Sequence, residues 1–192
     1  MKPADRGLNR GTHAELSPNP QAGGTYFFTV VTFRRLPLLA SSSAISVLES
    51  SFRAVMVRHP FTIEAMVIMP DHLHCIWTLP EGDHDFSTRW RLVKAGFSRT
   101  CERSPVEQIP PSLLRKREKG VWQQKFWEHC IGDDTDFNAH CDYIHYNPVE
   151  HGLAQAPGEW QHSTFGQFVQ AGFYPPDWGH SISPQVTAME LE

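Results

Sequence analysis

The chain has 192 residues, 40% of them apolar and 20% charged, with four cysteines and a formal net charge of −4. That length suits one domain with terminal decoration, and the composition is that of a globular protein able to bury a core. No run approaches the roughly 20 apolar residues of a spanning helix, the N-terminus has no apolar signal region, and Cys75, Cys101, Cys130 and Cys141 form no CxxC pair, so a reduced, cytoplasmic protein without membrane contact is expected.

Residues 1 to 24 are rich in Pro, Gly and Asn without periodicity and predict a mobile tail. Thr25 to Phe33 is β-branched and aromatic, a strand by composition. After a loop from Arg34, Ser43 is placed to cap a helix in which Ile45, Leu48, Phe52 and Val55 recur at helical spacing, and His59-Pro60 ends it. Phe61 to Met69 and His72 to Leu79 predict two strands joined by the short break Pro70-Asp71. From Asp85 to about Arg103 a helix is expected with Phe86, Trp90, Val93 and Phe97 on one face, flanked or opposed by Arg89, Arg91, Lys94 and Arg99. A basic loop over 104 to 120 follows, then an interrupted or bulged strand from Val121 to Ile131, and a helix from Asp133 to Tyr146 that Asn147-Pro148 stops.

The order β, α, β, β, α, β, α predicts an α+β domain. Its first six elements fit a ferredoxin-like or split-βαβ arrangement, an antiparallel sheet with helices on one face and the other face open for a ligand. We expect the domain to span 25 to 152. The segment 153 to 192, acidic but holding Trp160, Phe165, Phe168, Phe173, Tyr174 and Trp178, is expected as a C-terminal extension packed back on it.

Charge is distributed unevenly. Residues 89 to 125 hold ten Lys/Arg against three Glu, whereas the chain after Lys125 has ten Asp/Glu and no Lys or Arg. From charge alone the asymmetry predicts equally a polyanion-binding segment beside an acidic one or a merely solvated charged helix and loop; in the first case the acidic tail could fold over the basic surface.

Two patterns carry chemistry. On a strand, His72 and His74 project from one face while Leu73 and Cys75 face the other, so two imidazoles can reach one divalent ion. On the last helix, His140, Tyr143 and Asn147 are spaced by three and four and share a stripe. A phenol with a pKa of about 10 is a poor nucleophile while protonated; a metal ion polarising a phosphate supplies what it lacks, and Asn147 offers that ion a neutral oxygen. Either pattern alone is also what ordinary packing would give.

Three segments, taken in order, are more specific. Met69-Pro70-Asp71-His72-Leu73-His74-Cys75-Ile76-Trp77 is followed by Trp122-Gln123 with Phe126-Trp127-Glu128-His129, and then by Asp142-Tyr143-Ile144-His145-Tyr146-Asn147-Pro148-Val149-Glu150-His151-Gly152-Leu153. Together they resemble the REP-associated tyrosine transposases, relatives of the single-tyrosine transposases that carry a His-hydrophobic-His (HUH) pair, over roughly Thr25 to Trp178. The resemblance implies a metal-dependent endonuclease and strand transferase that acts on single-stranded DNA folded into repeat hairpins. In it, His72 and His74 match the HUH pair. Tyr143 matches the tyrosine that forms a 5′-phosphotyrosine and frees a 3′-OH. Asn147 matches the third ligand of Mg²⁺ or Mn²⁺, with His140 as a rival ligand or proton carrier. Tyr146 is the rival nucleophile, but it sits about 100° round the helix from Asn147, against about 40° for Tyr143. Arg89, Arg91, Lys94 and Arg99 suit the hairpin phosphates, and Trp77, Trp90, Trp122 and Trp127 are candidates for base stacking. The protein is expected to act as a monomer or homodimer. A non-catalytic hairpin DNA or RNA binder is the alternative, and a metal-dependent hydrolase of a small phosphoester ranks below both.

Overall fold

In the computed structural model, which describes residues 23–100 and 120–179, the aromatic run Thr25–Val31 forms β1 near the middle of a four-stranded sheet. The other strands are β2 (Thr62–Ile68), β3 (His72–Thr78) and β4 (Trp127–Cys130). Their order is β2-β3-β1-β4 and every neighbouring pair is antiparallel. With helices α1 (Ser42–Arg58) and α2 (Phe86–Thr100) inserted after β1 and β3, this is the expected ferredoxin-like α+β fold.

Alternation sorts the side chains into two cores. Phe28, Val30, Leu73, Cys75 and Trp77 pack against Leu48, Phe52, Trp90, Val93 and Phe97 of α1 and α2. Phe27, Ala65, Val67 and Ile76 face the other way. On β2 the register slips between Ile63 and Ala65, and this bulge brings Ala65 and Val67 onto the second face beside Ile76.

That second face is not open. Helix α3 (Asp134–Glu150) lies across it with Phe137, Cys141, Tyr143 and Ile144, joined by Phe168 of the short helix α4 (Phe165–Gln170). The apolar residues of α3 need burial and the sheet supplies it, which corrects the expectation of a single helical face.

Helix α3 also outruns its predicted stop. Pro148 sits inside the helix, and the end comes instead at Gly152, whose φ of +68° few other residues adopt. Gly152 N–H donates to Val149 O and Leu153 N–H to Pro148 O, the paired bonds of a Schellman cap. Pro148 is tolerated because it falls in the last turn, where its missing N–H costs only one bond, that to Ile144 O. At α1 the capping residue is Ser41 rather than Ser43: its hydroxyl accepts from Ala44 N–H.

Beyond Gly152 the chain packs back as its aromatic content predicts. Ile68 N–H donates to His162 O, Met66 N–H to Thr164 Oγ1 and Trp160 Nε1–H to Ile68 O, so this segment covers the outer edge of β2. As far as Gly179 it lies on the α3 side of the sheet, away from basic α2. The expected tail falls outside the described residues up to position 22, and so do residues 101–119, which hold most of the expected basic loop, and 180–192. Among the described residues no helix is long and apolar enough to cross a membrane.

Candidate active site on the second sheet face

His72 and His74 share the face that α3 covers, with ring centroids 4.8 Å apart. Both are fully buried, and each is tied back through Nδ1. His72 Nδ1–H donates to Asp71 Oδ1 at 2.6 Å, and Asp71 Oδ2 accepts from Arg35 at 3.3 Å. His74 Nδ1 stands 2.9 Å from the hydroxyl of Thr29, its partner across β1. The carboxylate places the His72 proton on Nδ1 and so presents Nε2 as its lone-pair nitrogen, the arrangement that orients metal-binding histidines, while the Thr29 hydroxyl anchors the His74 ring. Arg34 and Arg35 both hold positive φ values, 56° and 52°, an uncommon conformation for residues other than glycine. This bend delivers the Arg35 guanidinium to Asp71.

Helix α3 runs over the pair. The Tyr143 ring stands 5.0 Å from that of His74, and the His151 ring, two turns later, stands 5.4 Å from that of His72. Asn147 lies midway along the same stripe and is therefore carried over the gap between the two histidines. Its side chain is wholly buried, and neither amide atom has a hydrogen-bond partner among the described residues. Burying an amide this way is costly unless something else occupies its lone pairs. Two imidazole nitrogens and one amide oxygen are a donor set that a divalent cation accepts, so the residues fit a metal. Tyr146 faces elsewhere and packs edge-on to Trp178.

His140 lies one turn before Tyr143 and is not beside His72 or His74 in any ring contact of this site; it tilts against Phe27 instead, at 4.6 Å. Its Nδ1–H donates to both the carbonyl and the carboxylate of Asp136, each at 2.9 Å, while His129 Nε2–H reaches the same carboxylate at 2.8 Å. Burial pushes the His140 imidazole below its ordinary pKa, against the opposing pull of Asp136. Partial burial opposes ionisation of Asp136, but hydrogen bonds from Gly132 and His129 and the two imidazoles hold its carboxyl below the usual range. His129, Asp136 and His140 could themselves hold a cation, since their donor atoms lie within 4.8 Å of one another.

The expected DNA contacts divide. Arg91 and Arg99 are exposed and, with Lys94, line a cavity of about 680 Å³ between α2 and residues 120–126. Arg89 is only 2% exposed. It donates to Asp83 at 2.6 and 3.1 Å and to the carbonyls of His59, Pro60 and Asp85, so the interior consumes its charge, and the expected phosphate contact is corrected. Trp122 is likewise buried, packed on Phe97 and donating Nε1–H to Lys94 O, which leaves little of its ring for a base. The sequence had put forward none of Thr29, Arg35 and Asp136. Asp71 has no role in that reading either, although its place next to His72 is a usable signal.

No protein-family model matches the chain. It is 41% identical over 162 residues to a REP-associated tyrosine transposase of Escherichia coli, a match covering 84% of this chain and 88% of that protein. It is 38% identical over 157 residues to a Haemophilus influenzae protein provisionally given the same name, covering 82% of this chain and 88% of the relative. A solved structure of a REP-associated tyrosine transposase bound to a REP hairpin is also similar. Its TM-score is 0.70 at 40% identity, over 85% of this chain and 91% of that one.

Proposed function

The chain belongs to the REP-associated tyrosine transposases, and from that premise we propose that it cuts and rejoins single-stranded DNA at repeat hairpins through a 5′-phosphotyrosine on Tyr143. The observation that carries this reading is the packing of one stripe of α3 and its C-cap on one strand: Tyr143 against His74, His151 against His72, and Asn147 between them in the stripe. The hairpin as partner is supported by the related structure, which holds a REP hairpin.

Mg²⁺ or Mn²⁺ bound by His72, His74 and Asn147 would supply charge neutralisation and Lewis acidity at the scissile phosphate. The chain has reason to use one, because α3 and everything after it lack Lys and Arg. Asp71 fixes the His72 tautomer and Thr29 anchors the His74 ring through Nδ1, which leaves Nε2 of each histidine turned to the site. Packing on Phe27 and His74 holds the Tyr143 ring still, which removes the ordering cost of presenting the phenol. In the reaction Tyr143 Oη bonds to phosphorus as the bond to O3′ breaks, so one phosphoester replaces another. The 3′-OH of a second strand reverses the exchange and joins new partners. Arg91, Lys94 and Arg99 attract the hairpin phosphates from the α2 side.

The test is a labelled single-stranded hairpin with a flanking foot, incubated with the protein and Mn²⁺ and run on a denaturing gel. A slow covalent band that Tyr143→Phe abolishes is expected. Hairpin binding without any such band would instead favour a non-catalytic binder.

A further inference from the structure

Building on the catalytic reading above, we infer that Trp127 is the stacking platform for an unpaired base of the DNA strand that enters the site. Three of the four tryptophans considered from sequence are buried: Trp77, Trp90 and Trp122. Trp127 is 42% exposed, one of three large apolar side chains so open among the described residues. Its position is not arbitrary. His74 pairs with Thr29 and Thr29 pairs with Trp127, so one row across the sheet runs from the HUH pair to this indole. Paired residues of antiparallel strands face the same way, and two strand spacings put the indole about 10 Å from His74, on the face where Tyr143 lies.

The indole is also held. It stands edge-on to Phe27, with centroids 5.6 Å apart at 72°, and nearly parallel to His129, at 12° and 5.9 Å. His129 in turn lies parallel to His140, at 15° and 4.8 Å, and the Asp136 carboxylate clamps both imidazoles. Trp127, His129 and His140 therefore form a rigid aromatic ladder that ends in an exposed ring. Such a ring takes a base with little ordering cost, and every base offers it a π face. The ladder gives His129 and Asp136 a role as positioning residues.

The occupant follows from the path of the strand. Strand β4 is an edge strand, with cationic α2 behind one face of the sheet and Tyr143 on the other. A strand whose phosphates lie against Arg91, Lys94 and Arg99 must round the β4 edge to reach Tyr143. At that edge Phe126 packs on the α2 side, near Lys94, and Trp127 on the catalytic side.

Binding is measured by fluorescence anisotropy in EDTA, with the full chain and three probes. These are a DNA hairpin with a single-stranded foot of four adenosines, the same hairpin with an abasic foot, and a blunt hairpin. Trp127→Ala should weaken the adenosine-footed probe about 10-fold and the other two less than about twofold, while Trp127→Phe keeps most of the affinity. Trp127→Leu, which retains apolar bulk, gives the same reading if the alanine variant fails to fold. Equal loss on all three probes, or none on the first, overturns the platform. The covalent band on Tyr143 tests the catalytic reading separately, so a protein that forms it yet ignores Trp127 loses only this inference.

Discussion

The ring of Tyr143 meets that of His74 edge-on, with centroids 5.0 Å apart and planes at 72°. Tyr146, three residues on, is pinned to Trp178 on the C-terminal segment. The two phenols are therefore not interchangeable. Tyr143→Phe should lower adduct formation at least about 10³-fold, while Tyr146→Phe stays within about twofold, as read on the denaturing gel. Hairpin affinity in EDTA should be unchanged in both, because neither substitution removes a cation or an exposed ring.

Asp71 is worth more than its half-buried position suggests, since it links Arg35 to His72 Nδ1. Asp71→Asn keeps the shape but replaces a charged acceptor with a neutral one whose amide can turn its NH₂ toward the ring. Mn²⁺ affinity by calorimetry should fall about 10- to 100-fold, with unchanged binding of the blunt hairpin. An unchanged metal affinity would remove Asp71 from the orienting role.

The central strands were legible from sequence because alternation and composition agreed there, and His72 and His74 fell on one face by counting alone. What misled the reading was Pro148. A proline marks a helix end only approximately: near the C-terminus it costs one backbone bond, and α3 runs two residues past Pro148 before Gly152 caps it. The second helical face was hidden for a related reason: α3 is apolar on the side of Phe137, Cys141 and Ile144, yet it also buries His140, His145 and Asn147. Polar residues at buried positions blur the periodicity that marks a face. Arg89 shows the same limit from the opposite side. Nothing local separates it from Arg91, and only the return of His59 and Pro60 through space explains its burial.

Asn147 carries an orphaned amide in the interior. Asn147→Ala removes an unsatisfied polar group, a gain of about 1–3 kcal/mol, and leaves a small cavity that costs a similar amount. The metal-free melting temperature should therefore hardly move while Mn²⁺ affinity drops. A large loss of stability would mean that the amide has a structural partner instead.

Arginines on α2 should separate by burial. Arg89→Ala strips Asp83 and three carbonyls of their donor and should cost about 3 kcal/mol of stability, with the folded fraction still binding the hairpin normally. Arg91→Ala and Arg99→Ala should leave stability within about 0.5 kcal/mol. Each should weaken hairpin binding and reduce the salt dependence of its logarithm by about one unit. Salt titrations of the three variants decide between these outcomes.

His145 makes the fold sensitive to acid. It is completely buried under α4, and burial pushes its pKa down to about 3. Its Nε2 meets the Thr164 hydroxyl at 2.8 Å, while Nδ1 stands 3.3 Å from the Tyr174 hydroxyl, whose own proton goes to Asp142. A neutral ring fits this setting, with Nδ1 against the Tyr174 hydroxyl and Nε2 against that of Thr164, which also lies 3.3 Å from Met66 O. The unfolded ring takes up its proton near pH 6.5 and the folded one only near 3. The unfolded state therefore binds more protons in between, and the contribution is fully present above pH 6.5 and lost as pH falls toward 3. Each pH unit in that window should remove about 1.4 kcal/mol through this one residue. Denaturant unfolding from pH 7 to 4 should show a slope in the wild type that His145→Gln, although less stable at pH 7, reduces by about one proton. Equal slopes in both proteins would mean that the ring titrates alike in the folded and unfolded states.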